Sequence, residues 1–207
     1  MMPRQVLVLA AASILACGSP DARDPERPRD RAEGPAAPSE GQGDADPAEA
    51  APSVDGRAAT SARVDQRLLD AHNRYREQHC APPLAWSDHL AGVAAQWADE
   101  LYARGCPLEH SRHRYGENLA AGTPGTLDAE RVVELWYEEI ELYDFEQPGF
   151  SMEIGHFTQV VWLGTRELGC AQARCDGLDL WVCNYAPAGN VIDAFGQNVL
   201  PTTCDTR

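Results

Sequence analysis

Six cysteines lie between residues 80 and 204 of this 207-residue chain, and a seventh stands apart at Cys17. Thiols at this density make sense mainly where disulfides persist, so the chain reads as a scaffold stapled outside the cytoplasm. That constrains the fold more tightly than composition does, because each bridge holds two backbone segments side by side. Spacing alone leaves the pairing open. The stretch CAQARC (170–175) is a poor zinc site in such a compartment, where its thiols are oxidised.

The N-terminus fits export. Arg4 precedes QVLVLAAASILA, an apolar run that ends at Cys17. This pattern is a charged n-region followed by an h-region too short to span a bilayer stably. The terminal ILAC resembles a bacterial lipobox, with Leu15 atypical before the Ala–Cys pair. Residues 1–17 are therefore expected to be an export signal, and Cys17 a lipidation site. Setting Cys17 aside leaves an even six cysteines. The expected location is extracellular or cell-envelope-anchored, with membrane contact only through the N-terminal lipid.

Residues 18–60 hold seven prolines, ten alanines and five glycines, with no aromatic residue and ten acids against five arginines. Such a segment cannot bury enough apolar area to offset the entropy of ordering it. A disordered tether is expected over 18–62, followed by one folded domain over 63–207. The formal net charge is −15, and all seventeen basic residues are unclustered arginines. A nucleic-acid surface is excluded on that ground, and an anionic membrane repels the body of the protein. No feature sets an oligomeric state.

Within the domain, three helical patterns precede the strand-like ones. Val64, Leu68, Ala71, His72, Tyr75 and His79 share one helical face, which APP (81–83) terminates. Ser87 can cap a second helix with the stripe Leu90, Ala94, Trp97 and Leu101, closed by Gly105. Thr126 or Asp128 opens a third, carrying Val132, Val133, Leu135, Trp136, Ile140 and Tyr143. TQVVWL, LGCAQARC and LWVCNYAP then read as short strands. Helices first and strands later predict an α+β fold with a small sheet between helical layers.

One carboxylate sits where the third helix has no use for it. On a helical wheel Glu139 falls about 20° from Val132, in the middle of the apolar stripe, while Glu130, Glu134, Glu138 and Glu141 fall opposite. A buried carboxylate is costly unless paired, protonated or close to a metal. His110 and Glu117 in CPLEHSRHRYGENL, and His156 at the head of GHFTQVVW, are the candidate partners. Two imidazoles and two carboxylates can share a divalent ion or a proton network. His72 and Asn73 are expected to be structural and His113 to be solvent-exposed. His79 and His89 have no evident role.

GHFTQVVWLGT (155–165), CNYAPAGN (183–190), HNRYR (72–76) and GENL (116–119) together resemble the CAP superfamily: cysteine-rich secretory proteins, antigen-5 venom proteins and plant pathogenesis-related class 1 proteins. Trp181 stands where an aliphatic residue or tyrosine is usual. The resemblance covers about residues 65–200. It implies a three-layer α-β-α sandwich with a mostly antiparallel central sheet and a cleft lined by His110, Glu117, Glu139 and His156. His110 and His156 are the implied ligands of zinc or another divalent ion. The implied disulfides are Cys106–Cys175 and Cys170–Cys183, which leaves Cys80–Cys204.

Members of this superfamily share a fold and no common reaction. The four cleft residues include no nucleophile, and Ser111 is the only nearby hydroxyl. The expectation is a binding module with a metal-capable cleft and a sterol- or fatty-acid-like ligand, rather than an enzyme. The alternatives are a zinc-dependent hydrolase, with Glu117 or Glu139 as the proton-transferring group, and an adhesion or toxin-like factor.

Overall fold

The computed structural model describes residues 54–202. The export signal, Cys17, most of the tether and Cys204 lie outside the described residues. Helix α1 (Val54–Gln78) begins nine residues before the change in composition at 63. Its first turns contain Ala58, Ala59 and Ala62, and no proline occurs between Pro52 and Pro82. Helix propensity therefore carries α1 into a stretch that composition assigns to the tether. Strand β1 (Ala85–Trp86) and helix α2 (Asp88–Ala103) follow, with the Ser87 side chain accepting from the Leu90 amide at the start of α2.

Strand β2 (Gly116–Gly122) leads to α3 (Ala129–Glu138), which Asp128 caps by accepting from the Arg131 amide at 2.9 Å. A 3₁₀ turn (Glu139–Leu142) continues α3, and a second one (Met152–Ile154) introduces α4 (Gly155–Val161). Strands β3 (Glu167–Cys175) and β4 (Leu178–Ala186) form a hairpin, and α5 (Phe195–Asn198) closes the described chain. The sheet order is β1-β3-β4-β2. All pairings are antiparallel except β1 with β3.

The sheet is covered on both faces, which gives the α-β-α sandwich. One face of β4 presents Leu180 and Val182 to Ala94, Ala98 and Leu101 of α2. The other presents Trp181, Cys183 and Tyr185 to the layer of α1, α3 and α4, where Leu68, Trp136, Phe157 and Val160 are buried. Strand residues alternate between faces, so a strand covered on both sides reads as a continuous apolar run. Helix α2 lies so close to β3 that a Cβ on Gly169 would sit 2.1 Å from the Ala91 nitrogen. Only glycine permits that approach.

Disulfides join Cys106 to Cys175 and Cys170 to Cys183. The second links residues directly opposite each other on β3 and β4. The expected Cys80–Cys204 bridge involves a residue outside the described ones. Among the described residues no helix is long and apolar enough to cross a membrane.

One expectation is overturned. TQVVWL is not a strand: its first four residues complete α4, and His156 lies in that helix's first turn. The physical reason is burial. All seven residues of α4 are buried, so the segment has no polar face and its periodicity cannot separate helix from strand.

Candidate functional site

Four segments carry the four residues, which are tied into two histidine–carboxylate pairs. His110 is carried by the loop between α2 and β2. That loop is anchored by the Cys106–Cys175 bridge, and the Trp97 indole donates to the Glu109 carbonyl at 2.9 Å. Glu117 is the second residue of β2, His156 the second of α4, and Glu139 the first of the 3₁₀ turn after α3. A 3₁₀ turn rotates about 120° per residue against about 100° in an α-helix, so leaving the helix at Glu138 changes the direction of Glu139 little. Its side chain is 13% exposed, against 4% for Glu117, 9% for His110 and 3% for His156.

The two histidines are held in the same way. Nδ1 of His110 donates to Glu117 Oε1 at 2.6 Å, and Nδ1 of His156 donates to Glu139 Oε1 at 2.6 Å. A carboxylate can only accept, so Nδ1 of each ring carries a proton, and whenever the ring holds one proton only, Nε2 carries the lone pair. Both Nε2 atoms are buried and have no hydrogen-bond partner among the described residues. A carboxylate on one imidazole nitrogen, with the other free, is the arrangement that orients histidine towards a metal.

The carboxylates are themselves fixed by backbone. Glu117 Oε1 also accepts from the Ser111 amide at 2.9 Å, and Oε2 from Asn184 Nδ2 at 3.4 Å. Burial pushes the Glu117 carboxyl up, but hydrogen bonds from His110 and Ser111 outweigh it and hold the group below its usual range. Glu139 Oε2 accepts from the amides of His156 and Phe157, at 2.9 and 3.1 Å. It thereby satisfies the first free donors of α4, at the helix end that favours negative charge. The notch in the apolar stripe is thus the acceptor that a short buried helix requires.

No group of three or more His, Cys, Asp or Glu side chains suited to a metal occurs among the described residues; the positions open to a divalent ion are the two Nε2 atoms. The protein would supply two ligands and leave the remaining coordination positions open. Both carboxylates are committed to imidazole and backbone donors.

The other expected residues separate cleanly. His72 is fully buried between the Leu68 carbonyl and the Tyr185 hydroxyl. Asn73 Nδ2 donates to the Leu84 carbonyl, and its Oδ1 accepts from the Leu84 amide. His113 is exposed. His89 meets Tyr115 at the surface. His79 does have a role: it is buried, touching the Tyr137 hydroxyl and the Leu200 carbonyl and so tying the end of α1 to the C-terminal segment. The Ser111 backbone supports Glu117, while its hydroxyl accepts from the His113 amide.

Several important residues escape a reading of the sequence. Trp136 stacks on the His156 ring, with centroids 6.0 Å apart and planes 18° apart. Asn118 donates to the His156 carbonyl. Arg76, fully buried, donates to the carbonyls of Pro82, Val160, Trp162 and Thr165. GENL marks Asn118 as plainly as Glu117, and HNRYR ends on Arg76, but neither motif names its partners.

A separate cleft of about 410 Å³ opens between the 148–150 turn and the 192–197 segment. Its lining includes Pro148, Phe150, Ile192 and Phe195, and none of the four site residues.

Comparison with known proteins follows the same outline. Residues 69–185 match the family described as CAP, cysteine-rich secretory protein family. Protein PRY2 of Saccharomyces cerevisiae is 47% identical over 139 residues, covering 65% of this chain and 40% of PRY2. Secreted protein RBT4 of Candida albicans is 35% identical over 188 residues, covering 88% of this chain and 49% of RBT4. The chain thus spans less than half the length of either relative. Golgi-associated plant pathogenesis-related protein 1 of Homo sapiens is 40% identical over 150 residues, covering 69% of this chain and 96% of the human protein. Among solved structures, that of NaASP2 with Zn2+ superposes with a TM-score of 0.54 at 25% identity, covering 67% of this chain and 85% of that one.

Proposed function

Because the chain belongs to the cysteine-rich secretory protein (CAP) family, we propose that it is an exported binding module in which His110 and His156 hold a divalent cation through Nε2. One observation carries this reading. Both rings are pinned at Nδ1 by a carboxylate, and both leave a buried Nε2 without a partner. An unpaired buried acceptor is costly, and each of these two is open to a ligand. Glu117 and Glu139 hold the rings in place. The zinc-containing structure of NaASP2 makes Zn2+ the first ion to test. Export is supported by the likeness to secreted RBT4 and by the disulfides.

Hydrolysis is less well supported. Glu117 and Glu139 are each engaged by an imidazole and by backbone amides, which fits a role in holding the rings better than one in activating water. An apolar ligand of sterol or fatty-acid type belongs instead to the cleft lined by Phe150, Ile192 and Phe195.

Calorimetric titration of the purified full chain with ZnCl2 tests the metal site. The wild type is expected to bind one ion, and the His110→Ala/His156→Ala double variant to bind none while remaining folded. Equal binding by both proteins would exclude the two-imidazole site. A fluorescent fatty acid is expected to bind the full chain equally well with and without chelator, because none of the four site residues lines the apolar cleft.

A further inference from the structure

Three successive residues of β2 reach towards both imidazoles. Glu117 grips the His110 ring. Asn118 Nδ2 donates to the His156 carbonyl at 3.2 Å. The Leu119 carbonyl accepts from Trp136 Nε1 at 3.3 Å, and the Trp136 ring stacks on His156. Successive strand side chains point to opposite faces. One peptide unit therefore separates the side chain that holds one ring from the side chain that holds the helix bearing the other. The strand itself is fixed in register with β4 from Gly116↔Tyr185 to Gly122↔Asp179.

The orientation of the Asn118 amide follows from its neighbours. Burial pulls the His72 pKa down to about 4, so its ring is neutral at neutral pH. The Leu68 carbonyl can only accept, which puts the ring proton on His72 Nδ1 and leaves Nε2 as an acceptor. The Tyr185 hydroxyl must donate to Nε2, at 2.8 Å, so its oxygen is left to accept. Only the NH₂ end of Asn118 can fill that place, at 3.2 Å. Its second proton is then directed at the His156 carbonyl. Asn118, His72 and Tyr185 are all buried, so water does not compete for these groups.

We propose that Asn118 is a positioning residue that sets the place of His156 relative to His110 and so the affinity of the pair for a divalent cation. This rests on the two-imidazole site proposed above. It assigns no ligand role to Asn118, whose side chain acts through the backbone of α4.

The test compares Zn2+ affinity, measured by competition with a chromophoric chelator, across the full-length wild type, Asn118→Leu and Tyr185→Phe. Asn118→Leu removes the bond to His156 and is expected to weaken Zn2+ binding about 10- to 100-fold, the usual effect of losing an outer support of a metal ligand. Tyr185→Phe removes the hydroxyl but leaves the bond to His156, so it should lower Tm while leaving affinity within about twofold of wild type. Equal losses of affinity in the two variants, or none in Asn118→Leu, would overturn the proposal. A wild type that does not bind Zn2+ at all would instead overturn the two-imidazole site. Should Asn118→Leu fail to fold, ¹⁵N-labelled wild type gives a second readout. The Asn118 side-chain amide signals are expected to move as Zn2+ saturates the histidine rings, and unmoved signals would count against the positioning role.

Discussion

The two faces of the sheet are built on different rules. The α2 face is alanine, leucine and valine packed against a strand that glycine allows to come close. The opposite face buries His72, Arg76, His79, Asn118, Thr158, Gln159 and Thr165 among its aromatic and aliphatic residues. Each of these polar groups is tied to a carbonyl, a hydroxyl or another side chain. The first face needs only shape and apolar area. The second needs a set of directed bonds, and it is the face that fixes α4 and His156. His156 therefore rests on the side of the protein where a lost hydrogen bond costs more than lost volume.

The largest expected contrast is at Arg76. Arg76→Ala leaves four carbonyl oxygens short of a donor and opens a cavity where α1 meets the end of α4. Burial pulls the guanidinium pKa down to about 10, which still leaves it charged at neutral pH, beside the helix end that favours a cation. A loss of about 4–5 kcal/mol is expected in urea unfolding. A loss below about 1 kcal/mol would show that the polar face tolerates missing bonds as readily as the apolar one tolerates missing methyls.

Acid sharpens the same contrast. The His72 pKa falls from 6.5 in the unfolded chain to about 4 in the folded protein, through burial and, to a lesser degree, the Arg76 charge. The unfolded chain therefore takes up a proton that the folded chain refuses. This contribution is fully present above pH 6.5 and is lost as pH falls towards 4, amounting to about 3 kcal/mol at the lower end. Burial also lowers the His79 pKa, which adds in the same direction. Urea midpoints measured between pH 7 and pH 4 should fall steadily, and a flat profile would contradict a neutral buried His72.

The smallest effect is expected on the α2 face. Gly169→Ala places a methyl against the Ala91 nitrogen and the Leu90 carbonyl carbon, and α2 must shift to admit it. A loss of about 2 kcal/mol is expected, with no change in Zn2+ affinity. A change in affinity would show that the two faces are coupled.

The same division explains what the chain discloses before it folds. The α2 stripe is legible because one side of that helix faces water: Leu90, Ala94 and Leu101 are buried as the period predicts, and Trp97 sits half-buried with its indole on Glu109. Glu139 is legible because a carboxylate breaks an otherwise apolar stripe. Helix α4 is not, because a segment buried on every side carries no polar phase. Arg76 is missed for a related reason. An arginine beside a helical stripe reads as a solvent-facing residue, and only the chain returning around residues 160–165 supplies its acceptors. Asn118 lies beside Glu117 in the same short motif, yet its bonds run to α4 and β4, partners that no local pattern can name.

A seven-residue helix with no outer side has a consequence for how such a protein can change. No position on α4 offers a site where substitutions can accumulate without disturbing the interior, and the carboxylate at its head is already committed to two amides. New preferences in what the hollow accepts must therefore enter from the neighbouring loop, where Arg112, His113 and Arg114 face solvent just beyond the bound ring of His110. One wall is closed in by the interior, and the other faces solvent.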